Sequence, residues 1–125
     1  MIRKMFPLIV VLAVMAGALM AQENKGVTLT GYLVDNNCSA SHATDKTFAT
    51  WVKTHGTDCS KMEACEKSGY AVFAGDKLYK LDDKGNESAE ALLKATKSKK
   101  GLKVKAEGTV DGETLKITKM TEVTE

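Results

Sequence analysis

The chain has 125 residues, of which 43% are hydrophobic and 27% are charged, and its formal net charge is +2 at pH 7. This length suits one domain with a modest core. Because Arg3 and Lys4 account for the charge excess, the remainder is neutral and gives no electrostatic reason to expect nucleic acid or an anionic membrane as a partner.

Residues 1–21 have the three-part order of a secretory signal peptide. Two basic residues precede an apolar run over 6–20, and a small residue and a polar segment follow it. The run is shorter than the about 20 apolar residues of a membrane-spanning helix, which favours cleavage after Ala21 over a retained anchor. We therefore expect export to the periplasm or the extracellular space, and a single mature domain over 22–125 with no stable membrane anchor.

The first periodic segment covers residues 27–35. Val27, Leu29 and Leu33 share one face, and the residues between them form the other face, which predicts a strand. Gly31 in its middle suggests a bulge or a sharply coiled point.

All three cysteines and both histidines lie in residues 36–69, which we interpret as a helical insertion. Phe48, Trp51, Val52 and His55 have the spacing of one helical face, so the first helix is expected to end near Gly56. A second helix is predicted from the capping-box pattern of residues 60–63 to Gly69. The segment around Cys38 is expected to be a loop.

The remaining chain predicts a hairpin, a helix and a second hairpin. Residues 70–73 and 78–81 flank the first turn. The helix is expected to start at Asn86 or Ser88 and to end at Gly101, with lysines 97, 99 and 100 in its last turn. Two further strands follow, joined at Asp111-Gly112.

The order of these elements is β–(helical insertion)–β–β–α–β–β. It predicts an all-β fold with a helical insertion, a five-stranded OB-like small barrel, because that fold carries its helix between the third and fourth strands. Gly31 and Gly108 are the expected points where strands coil to close the barrel. An open α+β sheet is the alternative.

Three segments carry a resemblance: GYLVDNNCSASH, HGTDCSKMEACEKSGYAVF and GLKVKAEGTVDGETLKITKM. They are similar to small exported bacterial OB-like proteins of unknown function. In those proteins the first strand ends in an Asp shortly before a Cys, a His and two more Cys follow, and a V-D-G-x-T hairpin closes the chain. The resemblance implies the fold and the compartment, and it implies nothing about mechanism.

An exported chain with an odd number of cysteines keeps one thiol outside any intrachain disulfide. If 60–67 is one helix, Cys59 and Cys65 are roughly 9 Å apart along its axis, beyond the Cα separation of about 7 Å that a disulfide allows. Cys38 is therefore expected to pair with Cys65 or Cys59, which adds roughly 3 kcal/mol in the chain-entropy model. Our first hypothesis is accordingly a disulfide-stabilised, exported binding or structural module that is not an enzyme and has no cofactor.

The alternative is a periplasmic metal-binding protein that holds zinc or copper. Thiolates and imidazoles are the usual ligands of both ions. The candidate ligands are Cys38, His42, His55, Cys59 and Cys65. Cys38 and His42 are four residues apart, and so are His55 and Cys59. Two residues with this spacing lie on the same face of a helix.

Two weaker interpretations remain. Tyr32, Tyr70 and Tyr79 could form a ligand face for an unknown small ligand, a glycan or a protein. Cys59 at a helix start could act as a reactive thiol, but without a C-x-x-C pair an oxidoreductase is a distant third hypothesis.

Overall fold

The computed structural model describes residues 26–124, so the predicted signal peptide lies outside the described residues. Within 26–124, no helix has the length and apolar character needed to cross a bilayer. The elements in chain order are β1 (Gly26–Asp35), α1 (Asn36–His42), α2 (Phe48–Thr54), α3 (Thr57–Ser60), α4 (Glu63–Ser68), β2 (Tyr70–Ala74), β3 (Lys77–Leu81), α5 (Asp83–Ala95), β4 (Lys103–Asp111) and β5 (Thr114–Glu122).

The five strands hydrogen-bond in the order β1-β2-β3-β5-β4, and β4 pairs with β1 to close the ring. Only the β3–β5 pair is parallel among these described strands. The structure is therefore a five-stranded mixed sheet with helices. It belongs to the α+β class, so the all-β prediction is wrong, but the sheet is not open as the alternative expected. The predicted order of strands, helical insertion and α5 is confirmed, and the insertion holds four helices where two were predicted.

The alternation of β1 is confirmed, because its two faces contact different apolar clusters. Leu33 belongs to the main core with residues of every other strand and of α5, and Val27 and Leu29 pack against it. On the other face, Val34 packs with Val52 and Ala71 in a second cluster that includes side chains of α2. This second cluster holds the helical insertion against the outside of the sheet.

Gly31 lies where β1 changes partner. Tyr32 is paired with Phe73 of β2 and also with Lys103 of β4. A Cβ atom on Gly31 would overlap the carbonyl of Phe73, so only glycine permits this approach of the two backbones. Gly108, at the bulge between β4 and β5, is close to Lys116 in the same way.

The predicted limits of α5 are wrong at both ends. The helix begins at Asp83 because the Asp82 carboxylate accepts a hydrogen bond from the Gly85 amide at 2.9 Å, as an N-cap does. Asn86 instead accepts a hydrogen bond from the Tyr70 amide through its side chain. Since the helix ends at Ala95, the three lysines at 97, 99 and 100 lie beyond its last turn.

Candidate metal centre

Asp35, the last residue of β1, starts α1 and thereby positions Cys38. Its backbone is extended, and its Oδ2 accepts a hydrogen bond from the Cys38 amide at 2.7 Å. The Ser39 hydroxyl donates to the Asp35 carbonyl, also at 2.7 Å. These contacts fold the segment around Cys38 into a helix, so the expected loop is wrong.

The insertion turns sharply at Met62, between Cys59 and Cys65. α3 ends at Ser60, and Met62, the N-cap of α4, has an extended backbone (φ −61, ψ 145) from which α4 starts in a new direction. The expectation of one helix over 60–67 is therefore wrong. The distance along a helix axis, which excluded a Cys59–Cys65 disulfide, no longer applies. The predicted capping box is also absent from α4, because the Ser60 hydroxyl donates to Asp35 Oδ1 instead, at 3.1 Å.

The three cysteine sulfurs form a triangle. Cys38 Sγ lies 3.6 Å from Cys59 Sγ and 4.0 Å from Cys65 Sγ, and all three sulfurs are within 4.8 Å of one another. A disulfide bond is about 2.05 Å long, so these are free thiols here and the predicted pairing stays a prediction. Sulfurs bound at about 2.3 Å to one tetrahedral ion lie roughly 3.8 Å apart, which matches the two measured edges.

A buried carboxylate and an imidazole border this triangle. Asp35 is fully buried, and its Oδ1 accepts from His55 Nε2 at 2.8 Å. One nitrogen of His55, a carboxylate oxygen of Asp35 and Cys38 Sγ lie within 4.8 Å of one another. The His55 side chain is 8% exposed, so the pair is shielded from water. Asp35 thus contacts three segments of the insertion at once.

The electrostatics of the cluster favour an ionised carboxylate and protonated thiols. Burial raises the pKa of Asp35, but the hydrogen bonds from His55 and the Cys38 amide outweigh it and hold the pKa well below its ordinary value. Burial, the neighbouring Cys59 thiol and the Asp35 charge raise the pKa of Cys38. Burial and the Asp35 carboxylate likewise raise the pKa of Cys65. A cation bound among the three sulfurs would lower the pKa values of these thiols and stabilise thiolates.

The five predicted ligands are only partly brought together. The three cysteines converge, and His55 borders them next to Cys38. His42 lies outside both groups: its Nδ1 is 2.9 Å from Asp45 Oδ2, its side chain is 40% exposed, and its ring stacks on Trp51. The spacing of four residues therefore does not place His42 among the three sulfurs.

The site residue that the sequence analysis missed is Asp35. Its signal was available, because an Asp at the end of a strand and three residues before Cys38 fits a helix N-cap. Its contacts with His55 and Ser60 are long-range, and no spacing in the sequence indicates them.

The three predicted ligand-face tyrosines do not share one surface. Tyr70 is 2% exposed, and its hydroxyl donates to the Ser60 carbonyl at 2.9 Å. Tyr79 packs against the main core, whereas Tyr32 packs in the outer cluster. Tyr32 also lines a half-open groove of about 380 Å³ between α2 and the sheet, together with Lys53, Val52, Phe73 and Lys103 among others.

Comparisons with models of protein families, with curated proteins and with solved structures found no match to this chain. The resemblance to small exported bacterial proteins stays a prediction.

Proposed function

We propose that this protein binds one thiophilic metal ion, zinc or copper, through Cys38, Cys59 and Cys65. The observation that carries the proposal is the sulfur triangle, whose 3.6 Å and 4.0 Å edges match the spacing of thiolates on one ion. Thiolates are the ligands that select Cu(I) and zinc over harder divalent ions. Two of the thiols are only partly buried, so an ion has an approach to the site.

The surroundings of the triangle support a metal site. Metal ligands are usually fixed by an outer layer of hydrogen bonds, which often includes a carboxylate. Asp35 has this role here, since it accepts from the amide of Cys38 and from His55. His55 is the nitrogen donor that borders the triangle, and a fourth ligand is either this imidazole or a water molecule.

A thiol oxidoreductase fits the same residues less well. Its attacking group must be a thiolate at working pH, which requires a lowered thiol pKa. The pKa values of Cys38 and Cys65 are raised instead, because burial and the Asp35 carboxylate disfavour a second negative charge. We therefore rank this hypothesis behind metal binding.

A second candidate function is the disulfide-clasped, exported binding module. It is supported by the short Cys38–Cys59 distance of 3.6 Å and by the groove that Tyr32 lines. We infer further that the ring of strands is an OB-type barrel, because five strands close it and α5 lies between β3 and β4 in the chain. Export is part of both candidates, on the strength of the apolar run over 6–20.

Metal binding is tested on reduced protein by equilibrium competition with a chromogenic chelator, for zinc and for Cu(I) separately. We expect one ion per chain. Replacement of any one of the three cysteines by serine should weaken binding by more than the 10–100-fold typical of an outer-layer residue. His42→Ala is the control and should bind as the wild type does, because His42 lies outside the cluster.

Two results would count against the proposal. Equal affinity of the serine variants and the wild type would show that the sulfurs are not ligands. No binding of either ion, together with a disulfide from Cys38 in the exported protein, would favour the clasped module.

A further inference from the structure

We propose that metal binding and disulfide formation at this site exclude one another, and that oxidation of Cys38 with Cys59 by an external disulfide releases the ion. This regulation rests on the proposed metal-binding function. It follows from the position of Cys38, whose sulfur lies beside both other sulfurs, at 3.6 Å from Cys59 and 4.0 Å from Cys65.

The cluster has three thiols and no spare one. Any disulfide within it removes two of the three sulfur ligands, and the one remaining thiolate is fewer than the three or four protein ligands of a zinc site. The ion and the disulfide therefore compete for the same atoms. An ion that occupies all three sulfurs in turn protects them from oxidation, because a coordinated thiolate is a poorer nucleophile than a free one.

The structure also indicates which pair is oxidised first. Cys38 and Cys59 are both partly exposed, whereas Cys65 is 4% exposed and lies beneath them. Access is a main determinant of thiol reactivity. The sulfurs of this exposed pair are 3.6 Å apart, closer than the 4.0 Å between Cys38 Sγ and Cys65 Sγ.

The chemistry balances with a disulfide, RSSR, as the oxidant. The Cys59 thiolate attacks one sulfur of RSSR, which forms a mixed disulfide and releases one RS⁻. Cys38 gives up the ion or, in the metal-free protein, passes its proton to the released RS⁻. Its sulfur then attacks Cys59 Sγ, which forms the Cys38–Cys59 bond and releases the second RS⁻. The protein loses two electrons, RSSR gains them, and the ion leaves with two of its ligands gone.

Cys65 gives the oxidised state a second form. Its thiol lies 4.0 Å from Cys38 Sγ, so it can attack that sulfur and return Cys59 to the thiol state. This exchange moves the disulfide to Cys38–Cys65 without any net oxidation. In both forms Cys38 is bonded, so the metal site stays closed until a reductant restores the thiols.

The test uses the purified protein loaded with zinc alone and treated with oxidised glutathione. Zinc release is followed with a chromogenic chelator, and disulfides are mapped by alkylation and peptide mass spectrometry at early times. We expect one zinc ion released per disulfide, Cys38–Cys59 as the first bond, and full zinc binding after reduction. Excess zinc should slow the oxidation by roughly tenfold or more, because it sequesters the thiolates.

Two cysteine variants test whether the rate of disulfide formation depends on the exposed sulfurs or on the buried one. Apo Cys65→Ser keeps the exposed pair and should form its disulfide about as fast as the apo wild type. Apo Cys59→Ser leaves only the buried partner and should be oxidised roughly tenfold more slowly. Met62→Leu, at an exposed position between α3 and α4, is the matched control and should behave as the wild type.

The outcomes distinguish this inference from the function on which it rests. If zinc binds but stays bound after disulfide formation, the redox coupling is refuted and the metal site stands. If Cys38–Cys65 or Cys59–Cys65 is the first bond, the assignment of the Cys38–Cys59 pair is refuted. If the reduced protein binds no zinc and no Cu(I), both proposals fail together.

Discussion

Replacement of Asp35 by asparagine tests whether this carboxylate organises the insertion. Asp35 is fully buried and accepts from three donors: the Cys38 amide at Oδ2, and His55 Nε2 and the Ser60 hydroxyl at Oδ1. Asparagine has the same shape but only one acceptor oxygen. Its NH₂ group must therefore face at least one of these donors.

The expected cost follows from those contacts. A buried donor without a partner costs about 1–3 kcal/mol, and the loss of a charged acceptor weakens the remaining bonds. We expect Asp35→Asn to lower the free energy of unfolding by about 3 kcal/mol. For a domain of this size, that corresponds to a fall in Tm of roughly 12–24 °C.

Asp82→Asn provides a matched control, because Asp82 is also an aspartate N-cap. Its Oδ1 alone accepts from the amides of Gly85 and Ile117, at 2.9 Å and 3.2 Å, so an amide oxygen can replace it. Its cost should stay below about 1 kcal/mol, since Asn and Asp are similar N-caps. Urea unfolding of the reduced, metal-free proteins, followed by circular dichroism, gives both values. Equal costs for the two variants would refute the assigned role of Asp35.

Two further predictions concern the core and the strand crossing. Burial raises the pKa of Tyr70 to about 12, above its usual value of about 10. Because the unfolded chain loses this proton at lower pH than the folded protein, the stabilisation by the Tyr70 hydroxyl is complete below pH 10 and is lost as the pH rises towards 12. The stability difference between the wild type and Tyr70→Phe should therefore shrink between pH 10 and pH 12, and a constant difference in urea midpoints would contradict this. Gly31→Ala should cost about 3 kcal/mol because its methyl group overlaps the Phe73 carbonyl. Gly26→Ala, whose added Cβ has its nearest neighbour at 4.0 Å, should change the urea midpoint little, and equal effects of the two would contradict the assignment.

The strands were predictable because their signals are local. The alternation of β1 and the turn at Asp111-Gly112 each depend on neighbouring residues, and both strands of each hairpin formed as expected. The limits of α5 were not predictable in this way, because a glycine such as Gly85 usually indicates a break in a helix. In the structure a side chain at Gly85 would collide with Ile117 and Leu81, so packing requires glycine within the helix.

The candidate site was predictable in composition and not in arrangement. The sequence grouped the three cysteines and His55, but a pattern of spacings assumes continuous helices. Met62 breaks that continuity and brings Cys59 back towards Cys65. The role of Asp35 depends on contacts with residues 20 and 25 positions away, which form only when α2 and α3 pack over the end of β1.

X-ray absorption spectroscopy of the zinc-loaded protein at the zinc edge tests the central claim most directly. The account predicts three sulfur ligands at about 2.3 Å and one lighter ligand at about 2.0–2.2 Å. A first shell of nitrogen and oxygen with one sulfur or none would contradict it, because the ion would then bind away from the triangle of Cys38, Cys59 and Cys65.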